Sequence, residues 1–300
     1  MEDTVKSNKT KRIITGCVIS VISLACICMG AIPLLLFLLV LLFFAAREYT
    51  KILQNKGFRP SFNIIYLSVL VYAFLIFFRR FDLMPVVLSL SVIVAFLGVL
   101  FRGRQPYIAN VATTVLGIMY VAWLPLHLLL VRQIGSEGIG AFKIGVNDGL
   151  YLVIMVFLVV IATDIGGYYF GSKFGKTKLS AVISPKKTWE GAVGATIFAM
   201  IVASASVFYT NLTLLQAITG GFLITTASQL GDLSESLIKR DAGVKDSSNI
   251  LPGHGGILDR ADGFAFALPV AYYYFVNFTQ GHNILLEFLQ YAEGVLRAYF

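Results

Sequence analysis

The amino-acid sequence predicts an all-α, polytopic integral membrane protein with about nine transmembrane helices. Hydrophobic residues make up 57% of the 300 residues, and charged residues make up only 13%. A soluble domain usually carries about 25% charged residues. Nine apolar runs follow one another along the chain, each near the roughly 20 residues that a helix needs to cross a bilayer. This composition excludes an ordinary soluble enzyme.

Short polar connections separate the apolar runs. The runs cover residues 13–29, 31–46, 62–78, 83–101, 108–131, 150–170, 192–209, 214–231 and 263–279. The tail 281–300 also has helical periodicity, but Glu287, Glu293 and Arg297 make it too polar to span. We therefore expect an amphipathic helix that lies along the membrane interface.

The distribution of lysine and arginine predicts the orientation of the chain. If the N-terminus is cytoplasmic and the runs alternate, 19 of the 24 basic residues lie on the cytoplasmic side and five lie outside. Cytoplasmic loops of membrane proteins carry such an excess. Topology thus accounts for the net charge of +8, and no nucleic-acid partner is predicted. We expect a multi-pass protein of the cell (inner) membrane.

The chain divides into four predicted regions. They are a basic cytoplasmic N-terminus (1–12), an N-terminal transmembrane region (13–148), a catalytic transmembrane region with cytoplasmic motif loops (149–280) and the interfacial helix (281–300). The three cysteines all lie in the first run, without the paired spacing of a zinc site or a disulfide framework.

The stretch 232–262 concentrates charge in an otherwise apolar chain. It holds six of the 16 acidic residues and four basic ones. If residues 226–240 are helical, Asp232, Ser236 and Lys239 share one face, and Arg240 lies four residues beyond Ser236. Carboxylates can hold a metal ion and cations can neutralise phosphate, as a nucleotide site requires. The alternative is a solvated loop whose charges pair with one another.

Two further motifs lie upstream on the same predicted side. Asp164 is near the end of the sixth apolar run, where a carboxylate faces a cavity or pairs with a lysine. In the second motif, Ser184 and Pro185 suit the N-cap and first position of a helix. Lys186 and Lys187 would then lie in its first turn, which favours a bound anion. The alternative is that the two lysines only fix the topology.

These motifs resemble those of the phosphatidate cytidylyltransferases, also called CDP-diglyceride synthases. The similarity is carried by Ser236-x-x-Lys239-Arg240-x4-Lys245-Asp246, by His254-Gly255-Gly256-x2-Asp259-Arg260-x-Asp262, by Ser184-Pro185-Lys186-Lys187-Thr188-x-Glu190-Gly191 and by Asp164-x3-Tyr168-x2-Gly171-x2-Phe174-Gly175-Lys176. It covers about residues 164–262. The N-terminal half matches only as a hydrophobic region.

The resemblance implies that CTP and phosphatidic acid give CDP-diacylglycerol and diphosphate with Mg²⁺, in a dimeric helical enzyme. Whether a monovalent cation joins Mg²⁺ stays open. The implied catalytic residues are Lys239, Arg240, Lys245, Asp246, His254 and Arg260. The implied substrate-binding residues are Asp164, Ser184, Lys186, Lys187, Glu190, Ser236, Gly255, Gly256 and Asp262. The implied metal ligands are Asp232, Asp259 and Asp246.

Two other functions remain as alternatives at the level of sequence. A CTP-dependent lipid kinase, or a cytidylyltransferase for another lipid phosphate, would use similar charges. A secondary transporter would carry charges near the midpoints of its spans and show inverted internal symmetry. Here the charges cluster at the ends of the apolar runs, which disfavours a transporter.

Overall fold

The structure, a computed structural model, describes residue 16 and residues 18–136, 148–251 and 255–279. The predictions for the N-terminus 1–12, for His254 and for the C-terminal helix 281–300 lie outside these residues. Within them the chain is almost entirely helical, which confirms the predicted all-α class. A single two-stranded hairpin interrupts the helices of the described part.

Each predicted apolar run falls on a helix within the described residues. The helices are α1 (Val18–Met29), α2 (Ala31–Asn55), α3 (Phe62–Phe77), α4 (Met84–Arg102), α5 (Tyr107–Gly117), α6 (Leu124–Arg132), α7 (Asp148–Phe174), α8 (Trp189–Ser204), α9 (Leu214–Asp241) and α10 (Leu258–Thr279). A π-helical segment, Ile118–Trp123, joins α5 to α6 without a break. Short 3₁₀ turns precede α4 and follow α8.

Nine crossings are not confirmed. Five helical segments of the described chain are long and apolar enough to span a membrane: Ile32–Asn55, Phe81–Arg102, Tyr107–Arg132, Asp148–Phe174 and Trp189–Phe208. Helices α1 and α3 are apolar but shorter. Helices α9 and α10 are long enough, but acidic residues and other polar side chains lower their mean hydropathy. A multi-pass membrane protein is therefore established, and the number of crossings is not.

Small residues let α7 and α8 pack closely. A Cβ added at Gly166 would lie 3.0 Å from the backbone of Ala195, and one added at Gly194 would lie 2.4 Å from the ring of Phe170. Helices in membranes associate through such small residues because their backbones can then approach each other. Gly166, two residues after Asp164, and Gly194 on α8 therefore serve helix packing.

The second motif is not the start of a helix, so that prediction is wrong. Ser184–Thr188 forms strand β2, which pairs antiparallel with β1 (Lys178–Ser180). Helix α8 begins only at Trp189, and Thr188 is its N-cap because its Oγ1 accepts a hydrogen bond from the Gly191 amide at 3.2 Å. Threonine, like serine, is among the preferred N-cap residues. Lys186 and Lys187 therefore precede the helix and lie on a strand.

Helix α9 confirms the predicted helical stretch 226–240 and lies against α7, α8 and α10. The hydroxyls of Thr163 and Thr225 are 2.7 Å apart, and Gln229 Nε2 donates to Thr196 Oγ1 at 3.1 Å. These polar contacts tie α9 to α7 and α8 inside an apolar core. Between α9 and α10, a Cβ at Gly231 would lie 2.5 Å from the carbonyl oxygen of Asp262. The close approach of these helices brings their acidic residues together.

Candidate active site

A cavity of about 230 Å³ opens between α7, the hairpin, α8 and α9. Its charged lining comes from four predicted site residues on three different elements: Asp164, Lys186, Lys187 and Asp232. The remaining lining is Thr163, Gly167, Tyr168, Leu179, Thr188, Gly191, Ala192, Ala195, Ser228 and Gln229. The fold thus brings the Asp164 motif, the two lysines and the start of the charged stretch to one place.

The charges in this cavity are partly paired. Lys187 Nζ lies 2.5 Å from Asp232 Oδ2, and both side chains are about one-third exposed, at 28% and 33%. Asp164, Asp232 and Asp262 lie close enough to repel one another. Lys187 and Arg260 offset part of that repulsion at Asp164. Carboxylates can hold a metal ion and cations can pair with phosphate groups, and this cavity contains both kinds of side chain.

Two helical turns further along α9, Lys239 joins two acidic residues. Its Nζ lies 2.6 Å from Asp259 Oδ1 and 3.3 Å from Glu235 Oε2. Glu235 is fully buried, and the side chains of Lys239 and Asp259 are only 12% and 7% exposed. An unpaired charge would be costly at this depth, so the three groups depend on one another.

Asp259 also holds the loop that leads into α10. It accepts hydrogen bonds from the amides of Ser247 and Gly256, at 2.9 and 2.8 Å, and from Ser247 Oγ at 2.8 Å. Asp259 lies before the apolar run 263–279. Burial alone would raise the pKa of its carboxyl, but the bonds from Lys239, Gly256 and Ser247 hold that pKa below its usual value. Asp259 is therefore ionised, and both of its carboxylate oxygens accept hydrogen bonds.

Comparison with known proteins shows which family the chain belongs to. A profile described as "Cytidylyltransferase family" matches residues 10–278. The chain belongs to the cytidylyltransferase family.

Several similar proteins of the cytidylyltransferase family carry the name phosphatidate cytidylyltransferase. The one from Synechocystis sp. is 32% identical over 289 residues, which cover 89% of this chain and 96% of that protein. The one from Haemophilus influenzae is 46% identical over 134 residues, or 42% of this chain and 46% of the relative. Phosphatidate cytidylyltransferase 4, chloroplastic, from Arabidopsis thaliana is 32% identical over 250 residues, covering 77% and 64%. The most similar segments thus span about half of a relative's length, and one alignment spans nearly all of it.

Several family-motif residues hold the site together instead of lining the cavity. Glu190 accepts hydrogen bonds from the amides of Lys176 and Thr177, both at 3.1 Å, and so anchors the hairpin to α8. Ser184 pairs with Ser180 in the hairpin. Arg240 Nε donates to the carbonyl of Ile183 at 3.3 Å and joins α9 to the hairpin.

The other predicted residues lie around the two charged clusters. Ser236 is half-buried on α9, whereas Lys245 and Asp246 are exposed in the loop after that helix. Arg260 is exposed on α10, and Asp262 Oδ1 accepts the amide of Gly263 at 2.6 Å.

Gly256 is required by close packing. A Cβ there would lie 1.8 Å from Ser247 Oγ and 2.6 Å from Glu48 Oε2. Gly255 has a φ of 80°, a conformation that L side chains rarely adopt. The two glycines therefore let the loop reach the buried carboxylates.

Sequence reasoning missed Glu48, which lies on α2. Its side chain is buried and accepts hydrogen bonds from the amides of Ile257 and Leu258, at 3.0 and 2.8 Å. It also accepts from Ser248 Oγ at 2.5 Å and lies 3.2 Å from Ser247 Oγ. A lone acid at the end of an apolar run was the available signal, since such residues are expensive and need partners.

Proposed function

We propose that this chain is a phosphatidate cytidylyltransferase, which converts CTP and phosphatidic acid into CDP-diacylglycerol and diphosphate. The observation that carries the proposal is the cavity in which Asp164, Lys186, Lys187 and Asp232 meet. Neither histidine nor cysteine occurs among the described residues that line it. A site of carboxylates and cations suits the joining of two phosphate compounds, which needs alignment and charge neutralisation.

The substrates need little acid–base help. A phosphate monoester has a second pKa near 6, so phosphatidate is mostly a dianion at neutral pH. One of its oxygens attacks the α-phosphorus of CTP and forms a new P–O bond. The bond from that phosphorus to the α,β-bridging oxygen breaks, and diphosphate leaves with the electron pair. The protein's task is to align two polyanions and to offset their repulsion, for which Lys186 and Lys187 are placed.

Mg²⁺ is part of the proposal, and Asp232 is its best-placed ligand. No group of three or more acidic, histidine or cysteine side chains forms a ready metal centre among the described residues. Mg²⁺ fits that finding because proteins commonly hold it through one or two carboxylates together with substrate phosphates. Asp232 is partly exposed in the cavity that Asp164 also lines. Bound there, Mg²⁺ would neutralise phosphate charge.

The other proposed ligands are less accessible or less constrained. Asp259 would have to release part of its contacts with Lys239, Ser247 and Gly256. Asp246 is exposed. Asp232 therefore carries the metal proposal, and Asp259 is better explained by the buried ion pair, the alternative left open by the sequence.

Replacing each of the two aspartates with asparagine distinguishes a metal ligand from a carboxylate that only forms an ion pair. We expect Asp232→Asn to fold normally and to need a raised Mg²⁺ concentration, because one metal ligand is weakened. We expect Asp259→Asn to unfold at a lower temperature, because the buried Lys239 loses a partner and the loop loses the carboxylate that Ser247 and Gly256 bind. Mg²⁺ titration of activity and thermal unfolding in detergent measure both effects. Wild-type activity and wild-type Mg²⁺ dependence of a folded Asp232→Asn would remove Asp232 from the metal site.

A second test concerns phosphate neutralisation by Lys187. Loss of one charge-assisted contact costs about 1.5–3 kcal/mol. We therefore expect Lys187→Met to lower kcat/KM roughly ten- to 150-fold, since about 1.4 kcal/mol corresponds to a factor of ten. Lys178→Met, on the neighbouring exposed strand, is the matched control and should stay close to wild type. Unchanged kinetics of Lys187→Met for both substrates would exclude the lysine from the site.

Membrane placement completes the proposal. We propose a cell-membrane enzyme whose site faces the cytoplasm, supported by the 19-to-5 distribution of basic residues. Nine crossings and a homodimer belong to the same proposal; the first rests on the apolar runs and the second on the family resemblance.

The direct test is incubation of the purified protein with radiolabelled CTP, phosphatidate and Mg²⁺, followed by thin-layer separation of the lipids. We expect a labelled CDP-diacylglycerol. Diacylglycerol and a polyprenyl phosphate serve as comparison acceptors. Labelling of either of these in preference to phosphatidate would favour the lipid kinase or the cytidylyltransferase of another lipid phosphate.

A further inference from the structure

A second cavity, of about 670 Å³, lies away from the candidate active site. It opens between the connection from α2 to α3 and the connection from α4 to α5. Three arginines contribute to its lining: Arg59, Arg102 and Arg104. The other lining residues are Gln54, Gly57, Phe58, Pro60, Val99 and Asn110, and none of them is acidic. The two cavities share no lining residue.

Asn110 fixes the shape of this arginine cavity. Its side chain is only 2% exposed. Its Oδ1 accepts a hydrogen bond from the Arg59 amide at 2.7 Å, and its Nδ2 donates to the Arg104 carbonyl at 3.0 Å. A third hydrogen bond joins the two segments, because the Ser61 amide donates to Thr114 Oγ1 at 3.0 Å. One buried side chain therefore holds both arginine-bearing connections in place.

The arginine side chains lack acidic partners in the described part of the chain. None of the three arginines forms an ion pair within the described residues. Lys56, which lies in the α2–α3 connection with Arg59, does pair with Asp241, at 3.0 Å. Arg102 ends α4, where the helix dipole favours a cation. That explanation does not extend to Arg59 and Arg104, which lie outside helices. Three arginines that line one cavity suit an anion, and planar guanidinium groups suit phosphate in particular.

The position of the cavity favours a lipid as the source of that phosphate. The candidate spans Ile32–Asn55 and Phe81–Arg102 end beside it, and Tyr107–Arg132 begins beside it. The cavity is therefore at the level where lipid headgroups lie. Large apolar side chains next to it are highly exposed: Phe101 at 82% and Ile108 at 85%. A headgroup in the cavity would leave acyl chains free to lie along these side chains.

We propose that the arginine cavity is a second binding site, which takes the phosphate of an anionic phospholipid of the surrounding membrane. Basic clusters at the membrane end of helices bind anionic headgroups in this way. The Lys56–Asp241 contact joins the same connection to the end of α9, the helix that carries Lys239. The connection that carries Arg59 therefore contacts α9, although the cavity itself shares no lining residue with the candidate active site. The proposal does not depend on the reaction that the protein catalyses.

The test uses a fluorescent short-chain phosphatidylglycerol bound to the full-length protein in detergent, without CTP. This lipid is a phosphodiester, so it lacks the free phosphate monoester that would react in the active site. We expect Arg59→Gln/Arg104→Gln to raise Kd about tenfold or more, because two charge-assisted contacts are lost. The matched control is Arg47→Gln/Lys51→Gln, which removes the same charge from exposed positions of α2 outside the cavity. We expect the control to change Kd by no more than about twofold.

Competition identifies the source of the phosphate. Unlabelled dihexanoyl phosphatidylglycerol should displace the probe, and inorganic phosphate or dihexanoyl phosphatidylcholine at the same concentration should not. If inorganic phosphate displaced the probe and unlabelled phosphatidylglycerol did not, the lipid assignment would be overturned. Equal weakening in both double variants, or no saturable binding by the wild type, would overturn the site itself. Thermal unfolding accompanies each measurement, and Arg104→Gln alone replaces the double variant if the latter does not fold.

Discussion

Lys239→Met is expected to produce the largest loss of stability, about 3–5 kcal/mol, because it leaves two acidic residues buried without their cation. Glu235 is fully buried, and Asp259 is 7% exposed on its side chain. Neither carboxyl group is exposed enough to be hydrated when the lysine is removed. Catalysis should fail with the fold, since Asp259 then loses a contact that positions the loop before α10.

Lys56→Met is the matched control for this prediction. Lys56 also pairs with an aspartate, but the two side chains are 42% and 60% exposed. An exposed ion pair contributes about 0–1 kcal/mol. Thermal unfolding in detergent should therefore separate the two variants clearly. Equal unfolding temperatures would show that the buried cluster does not depend on Lys239.

The double variant Lys239→Met/Glu235→Gln sharpens the test. Glu235→Gln removes one of the two buried carboxyl groups while keeping the shape of the side chain. The double variant should therefore be more stable than Lys239→Met alone, which a cycle of the single and double variants measures as a coupling energy. Additive effects would contradict direct pairing between the two residues.

Glu48→Gln is expected to be the second severe change. The carboxylate of Glu48 accepts the backbone amides of Ile257 and Leu258 and a bond from Ser248. A glutamine has one accepting oxygen, and its NH₂ group would face donors. Hydrogen bonds to a charged group contribute about 1.5–3 kcal/mol each. The start of α10, with Asp259 and Asp262, should therefore lose its fixed position.

Amide hydrogen exchange at Ile257 and Leu258 reports this loss directly. We expect exchange there to quicken roughly ten- to 150-fold in Glu48→Gln, the change that corresponds to one lost bond. Lys51→Gln, an exposed change on the same helix, should leave exchange unaltered. Unchanged protection in Glu48→Gln would mean that α2 does not hold the loop.

The helices and much of the site were predictable because their signals are local. Apolar runs mark the helices, and a spacing of four and three places Asp232, Ser236 and Lys239 along one face of α9. The motif residues Lys186, Lys187 and Asp164 meet Asp232 in the cavity, as expected from the resemblance. Residues that act within one helix or one continuous motif can be located from the sequence itself.

Contacts between distant segments could not be predicted in the same way. Glu48 accepts hydrogen bonds from groups about 200 residues away, and no motif in its own segment indicates those partners. The predicted start of α8 was wrong for a different reason. Ser184 and Thr188 are both good N-cap residues, and only the pairing of β1 with β2 selects Thr188. Tertiary context thus decided between two equivalent local signals.

The central claim is that the protein transfers the cytidylyl group of CTP to phosphatidate. Parallel reactions with CTP labelled at the α-phosphate and at the γ-phosphate test it most directly. We expect the α-label in the lipid product and the γ-label only in diphosphate, with both dependent on phosphatidate. Appearance of the γ-label in the lipid would instead show phosphoryl transfer by a lipid kinase and would contradict the account.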